Sequence, residues 1–306
     1  MEISSPSSPA SISFTPDSRL AAVDMGGAVL LVDVARRMPL AVYSTGPSYG
    51  SGALSRDGRL IAASGGGSVI TLTETGDHNG VPAYDHKGVL VYNATHVAVQ
   101  PDGKHLTTVS DTGEVAIHSF GEPERIIVMP SADEAEYGKV EDLSLDGLRY
   151  AVEGDPAHQI RLEDISSSPA PEVTLDGHRD NVRILSFDPS GDFLASTDGS
   201  EVIIWSAKDR AELRRIPLPE GYVATSLAVS PEGRYIATSS PDGKILLWDT
   251  TSNDRAKPLL VEGTASLTFS PDDRWLSIGS QNEIRLWNLD TGKFDPRRIS
   301  IPSVAK

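Results

Sequence analysis

Val229-Ser230-Pro231-Glu232-Gly233 leads into a short run of small and β-branched residues, and Ile245-Leu246-Leu247-Trp248-Asp249 follows it. This pair of phrases decides the fold because the chain repeats it. The first phrase recurs as Phe14-Thr15-Pro16-Asp17, Leu54-Ser55-Arg56-Asp57-Gly58, Val99-Gln100-Pro101-Asp102-Gly103 and Leu143-Ser144-Leu145-Asp146-Gly147. It recurs again as Phe187-Asp188-Pro189-Ser190-Gly191 and Phe269-Ser270-Pro271-Asp272-Asp273. The third residues of the phrases stand at 16, 56, 101, 145, 189, 231 and 271, with spacings of 40, 45, 44, 44, 42 and 40. Self-similarity at such a period marks a repeat architecture, in which one supersecondary unit is copied along the chain.

The second phrase is an apolar strand closed by a bulky residue. Its clear copies are Val202-Ile203-Ile204-Trp205, Ile245-Leu246-Leu247-Trp248-Asp249 and Ile284-Arg285-Leu286-Trp287-Asn288. Its worn copies are Val29-Leu30-Leu31-Val32-Asp33, Val69-Ile70-Thr71-Leu72, Val115-Ala116-Ile117-His118 and Ile160-Arg161-Leu162-Glu163-Asp164. No segment sustains apolar residues at a 3.6-residue period over three turns, and the candidate strands are short, β-branched and bounded by Gly, Pro, Asp and Ser. One repeat has too little apolar surface to stand alone, so the copies must stack on one another. Closing them into a ring covers the inner strands and leaves only short edges.

The residues and the period resemble the WD40-repeat family over residues 11–302. The resemblance implies an all-β, seven-bladed β-propeller with four-stranded antiparallel blades, a single domain over 1–306, and repeats starting near 11, 52, 96, 140, 183, 225 and 265. Outermost strands are expected last in each repeat, as at Leu40–Tyr43 and Glu212–Ile216. The last blade takes its outer strand either from Arg298-Ile299-Ser300-Ile301 or from Glu2–Ser5. Two departures stand out. The Gly-His dipeptide typical of the family occurs once, as Gly177-His178, and an intact Trp-Asp pair occurs once, as Trp248-Asp249. The first four repeats are therefore degenerate. The chain begins and ends close to the repeats, which fits a single-domain protein or a domain of a longer one.

Composition narrows the chemistry. With 27 Lys+Arg against 43 Asp+Glu, the net charge is −16. An acidic surface repels phosphate backbones, so nucleic acid is not an expected partner. There is no cysteine, which excludes disulfides, thiolate metal sites and a cysteine nucleophile. The N-terminal MEISSPSSPA lacks the basic and apolar regions of a signal peptide, and no apolar run reaches the length of a membrane span. The cytoplasm is the expected location, with no membrane association and a monomeric state expected. Arg36-Arg37, Arg214-Arg215 and Arg297-Arg298 fall near or in outer strands, where charge discourages edge-to-edge pairing.

Within the resemblance, His178, Ser196, Asp198 and Trp205 match the family's structural tetrad, a set hydrogen-bonded across one blade. A His-Asp-Ser set also raises a hydrolase, but no Gly-x-Ser-x-Gly elbow surrounds Ser196. The other histidines, His78, His86, His96, His105, His118 and His158, lack metal-ligand spacing, so no metal and no cofactor are expected. Gly65-Gly66-Gly67 lacks the lysine and the helix of a phosphate loop. The leading expectation is a non-catalytic scaffold or adaptor that binds a partner protein or peptide. With blade strands lettered a to d from the centre outward, the family's docking face is built from d–a and b–c loops. Tyr49, Tyr92, Tyr137, Arg179 and Tyr222 fall in the d–a connections. Asp111, Asp155, Asp198 and Gln281 fall in b–c turns, and an acidic rim suits a segment containing Lys or Arg. The alternatives are a sensor or regulatory domain of a larger signalling or defence protein, and a propeller-fold hydrolase or lactonase.

Trp248→Ala is expected to cost roughly 3–5 kcal/mol, as emptying a large buried aromatic site does. Denaturant unfolding checks it, and an unchanged midpoint would mean the repeat is misassigned.

Overall fold

The structure is a computed structural model that describes residues 11–25, 28–44, 52–55, 60–64, 69–74, 83–90, 94–100, 104–110, 115–119, 126–129, 141–144, 146–165, 172–252, 256–261, 265–280 and 283–301. The strands form seven antiparallel sheets arranged in sequence order. Their inner strands are Ser11–Phe14, Gly52–Leu54, Ala94–Val99, Glu141–Leu143, Ile184–Phe187, Ser226–Val229 and Ala265–Phe269. Each inner strand packs beside the next, and the last packs beside the first, so the ring closes as a propeller. All but one of these strands begin within a residue of the repeat starts read from the sequence; the third begins two residues earlier.

The expectation of seven four-stranded blades needs one correction. Six sheets are four-stranded blades, whereas the last sheet has five strands. Its outer edge is broken into Lys293–Phe294 and Ile299–Ser300, both paired with the strand Glu283–Asn288. The break falls at Asp295-Pro296-Arg297-Arg298. Pro296 has no amide hydrogen to give to the ladder, and the Asp295 side chain turns inward. The C-terminal segment thus supplies this edge; Glu2–Ser5 lies outside the described residues.

Burial on both faces of a sheet explains why the third strands read as unbroken apolar runs. In Glu201–Ser206, Ile203 and Trp205 join a cluster with Ile160, Leu162 and Leu175 of the preceding sheet. Val202 and Ile204 point to the other side and meet Leu227, Ile236 and Trp248 of the following sheet. Successive side chains of a strand face opposite ways, so a strand sandwiched between two sheets has no polar face to show.

The recurring turn phrase also has a physical reason. In every copy except that with Gln100, its second residue is buried. That side chain pins the turn. Thr15 Oγ1 donates to Asp17 at 2.6 Å and accepts the Leu20 amide at 3.1 Å. Ser144 does the same with Asp146 and the Arg149 amide, at 2.6 and 2.9 Å. Ser270 repeats it with Asp272 and the Trp275 amide, at 2.6 and 3.0 Å. Asp188 replaces the hydroxyl and accepts the Phe193 amide at 2.8 Å. These turns also join neighbouring sheets: Thr107 Oγ1 donates to the Gly147 carbonyl at 2.7 Å, and Arg149 to the Gly191 carbonyl at 2.6 Å.

Where the last sheet meets the first, side chains make the closure. Ile284, Leu286 and Ile299 pack with Ile12, Phe14, Val23 and Leu30. The Ser18 hydroxyl accepts the Asp272 amide at 3.1 Å. Arg37 donates from Nε to Asp295 Oδ2 at 3.2 Å, and its guanidinium lies 4.4 Å from the centre of the Trp275 ring. The Arg37 and Asp295 side chains are only 5% and 7% exposed, so the pair is shielded from solvent. Burial raises the Asp295 pKa, but hydrogen bonds from Arg297 and the charge of Arg37 outweigh it, and the carboxyl lies below its ordinary value.

Asp295→Ala is expected to cost about 3 kcal/mol, because it leaves a buried guanidinium without its counter-charge. A denaturation series on Asp295→Ala and Arg37→Ala checks this; changes within about 0.5 kcal/mol, the range of ordinary surface substitutions, would show that the seam does not depend on the pair.

Candidate functional site

His178, Ser196, Asp198 and Trp205 come together inside the fifth sheet. Ser196 lies in the strand Phe193–Thr197 and Trp205 in Glu201–Ser206, while His178 stands on the connection that enters the sheet. Trp205 Nε1 donates to Ser196 Oγ at 2.7 Å. Ser196 Oγ and His178 Nε2 are 2.6 Å apart. His178 Nδ1 lies 3.4 Å from Asp198 Oδ2, and both side chains are fully shielded. A hydroxyl has one hydrogen, and Trp205 can only donate. An ionised carboxylate only accepts, so the histidine proton belongs on Nδ1, facing Asp198, and the bare Nε2 takes the proton of Ser196. Burial lowers the His178 pKa and keeps the ring neutral, although Asp198 opposes the shift. Burial raises the Asp198 pKa, but hydrogen bonds from the Ser200 amide and hydroxyl and the Glu201 amide outweigh it, so the carboxyl ionises below its usual range.

Ser196 is wholly buried between two rings, so its hydroxyl cannot meet a substrate carbonyl. The arrangement braces the sheet. Gly177 completes it: a Cβ there would stand 2.8 Å from Trp205 Cη2 and 2.8 Å from Arg215 Nη2. Only glycine lets this connection pass between the ring and the guanidinium. His178, Asp198 and Glu201 bring ligand-type atoms within 4.8 Å of one another. The positive charge beside them is Arg215, which donates to Glu201 Oε1 at 2.7 Å and to both oxygens of Glu212 at 2.7 Å. From sequence Arg214-Arg215 reads only as edge charge, and this fork is missed. The signal is Glu212 and Arg215 on one strand with Glu201 on the paired strand, two positions from the Ile203 that stands opposite Arg215.

Two other sheets make the same crossing with different residues. In the third, His118 Nε2 lies 3.1 Å from Thr108 Oγ1, so the ring at the tryptophan position again meets a hydroxyl of the neighbouring strand. Burial lowers its pKa. In the sixth, Tyr222 occupies the role of His178. Its hydroxyl donates to the Thr238 carbonyl at 3.0 Å and accepts the Thr238 hydroxyl at 3.1 Å. Burial raises its pKa. Tyr222 is thus half-buried, with its hydroxyl bonded within its own sheet.

Of the other expected face residues, Tyr49, Tyr92 and Tyr137 lie outside the described residues. Arg179 is exposed on the connection 177–183, next to exposed Asp180 and Asn181. The same connection holds Arg183, also exposed, whose amide donates to the Thr197 carbonyl at 2.7 Å. On the next connection Val223 is 57% exposed, while Thr225 donates from its amide to the Ser239 carbonyl at 2.8 Å. Backbone bonds thus tie these connections to the strands beside them. Arg183 and Val223 are not singled out by the sequence, because exposure in a loop leaves no periodic mark.

The propeller and the ring–hydroxyl crossings define a class, and comparison with known proteins agrees. The family model "WD domain, G-beta repeat" matches residues 170–206, 213–249 and 262–288. The chain thus carries WD40 repeats at these three positions. The WD repeat, SAM and U-box domain-containing protein 1 of Danio rerio is 34% identical over 122 residues, which is 38% of this chain and 25% of that protein. Cilia- and flagella-associated protein 52 of Homo sapiens is 30% identical over 38% of this chain and 21% of its own length. Small ribosomal subunit protein RACK1y of Oryza sativa subsp. japonica is 29% identical over 38% of this chain and 35% of its own length. The chain thus spans only a minor part of the length of each of these relatives. Among solved structures, Kluyveromyces lactis Hsv2 superposes with a TM-score of 0.70 at 13% identity, covering 97% of this chain and 100% of that one, a likeness of fold alone.

The buried neutral histidines give a pH dependence with a definite sign. An unfolded histidine takes up a proton near pH 6.5, whereas the folded ones resist it, so stability is full above that value and is lost as pH falls below it. The wild-type melting temperature is expected to drop between about pH 7 and pH 5. A His118→Gln, His178→Gln double variant, less stable overall, is expected to show a flatter profile. Parallel profiles would assign the acid sensitivity to other groups.

Proposed function

We propose that this protein is a non-catalytic scaffold that holds a partner protein or peptide on the face made by its d–a and b–c loops. The observation that carries this is the pairing of exposed Arg179, Arg183 and Val223 with backbone bonds that fix the loops bearing them. Binding residues concentrate on loops held by a rigid scaffold, and a pre-ordered loop loses little entropy when a partner docks. The polar residues arranged most like a catalytic set, His178, Asp198 and Ser196, are spent on one another inside the sheet. The WD-repeat relatives support an interaction role, and one is named as a protein of the small ribosomal subunit, a larger assembly.

Arg179→Glu combined with Val223→Asp alters this face without touching the buried crossings. In a pull-down from the source cells, the wild type is expected to retain a protein that the double variant loses, at equal melting temperature. Retention of the same proteins by both would place the binding surface elsewhere on the ring.

A further inference from the structure

Arg183 has an arrangement that exposure alone does not require. The Gly199 backbone lies directly beneath its guanidinium: a Cβ on Gly199 would stand 3.1 Å from Nη1, 3.2 Å from Cζ and 3.4 Å from Nε of Arg183. Three atoms of one planar group at nearly equal distance mean that the group lies flat over the glycine. Gly199 has a φ of +96°, a conformation that residues with side chains rarely adopt. The glycine thus serves both the turn after Asp198 and the seat of the arginine. Among the described residues, none forms an ion pair with Arg183 or Arg179, and both are exposed. By contrast, Arg37, Arg149, Arg161, Arg215 and Arg298 each stand beside a carboxylate. In a chain of net charge −16, the connection 177–183 carries Arg179 and Arg183 against one exposed acid, Asp180, a net charge of +1 (2 − 1).

We infer that Arg183, seated on Gly199, is an anchor for a carboxylate of a docked peptide, so that the partner segment is acidic at this point of the face. The inference rests on the scaffold reading above. For this part of the face it replaces the basic segment that acidic b–c turns suggest. A guanidinium offers a planar fork of donors that matches a carboxylate with two parallel bonds. Lying over the glycine, the fork is already oriented, so less rotamer freedom is lost on binding. One face of the group is covered, and its exposed donors remain for the ligand. Arg179, on the same connection, adds positive charge that favours encounter with an acidic segment.

The test is selection of a displayed library of random linear peptides on the wild-type protein, followed by affinity measurement for the enriched peptides on Arg183→Ala, Arg183→Lys and Val223→Asp. Enriched peptides are expected to share an Asp or Glu and to lose about tenfold or more in affinity on Arg183→Ala, the scale of an interface anchor. Arg183→Lys is expected to restore little of that loss, because a lysine keeps the charge but not the fork. Unchanged melting temperatures separate this from a folding defect. Peptides that lose affinity on Val223→Asp but carry no acid, and bind Arg183→Ala as well as wild type, would overturn the anchor and leave the binding face standing. Failure of the wild type to enrich any peptide, or enrichment insensitive to all three substitutions, would overturn the anchor together with the binding face.

Discussion

The sheets of this protein bury apolar side chains on both faces, and that constraint governs the rest of the structure. An antiparallel sheet on a globular surface ordinarily keeps one face for water. Here Ile203 and Trp205 need the fourth sheet as much as Val202 and Ile204 need the sixth. A sheet with two such faces requires a neighbour on each side, and a row of them is satisfied only when its ends meet. The ring is therefore a consequence of burial rather than a shape imposed on it. The pinned turns follow from the same demand, since backbone entering a second strand is drawn out of water and must find hydrogen bonds. Thr15, Ser144 and Ser270 supply them from side chains.

That logic explains what is legible in the amino-acid sequence. The turn phrase and the apolar run are both under strict physical demand in each copy, so they survive where the rest of the repeat has drifted. The inner strands can be placed from them closely. The outer edge of the last sheet cannot, because its form depends on Asp295 leaving the ladder to meet Arg37, 258 positions away in the chain. No local pattern announces such a contact. The count of strands in that sheet therefore differs from the six regular blades.

The polar site divides in the same way. His178, Ser196, Asp198 and Trp205 are readable together because one complete repeat preserves all four residue types at recognisable positions. The role of Tyr222 is not, since a tyrosine on a connecting loop looks the same whether its hydroxyl faces a partner or the Thr238 carbonyl. In space it takes the place of a histidine, and His118 takes that of a tryptophan. What persists between these sheets is the geometry, a ring brought against a hydroxyl of the second strand; the residue types that build it vary. Arg183 and Gly199 show the opposite case, where neither residue is notable alone and only their superposition gives the arginine an orientation.

The closing seam carries a consequence for how the molecule is made. Ile12, Phe14, Val23 and Leu30 belong to the first sheet, and the side chains that cover them, Ile284, Leu286 and Ile299, come near the other end of the ring. During synthesis the first sheet is complete long before its cover exists. A growing chain must carry this bare apolar wall until the last sheet emerges, an invitation to aggregation or to chaperone capture that only closure of the ring withdraws.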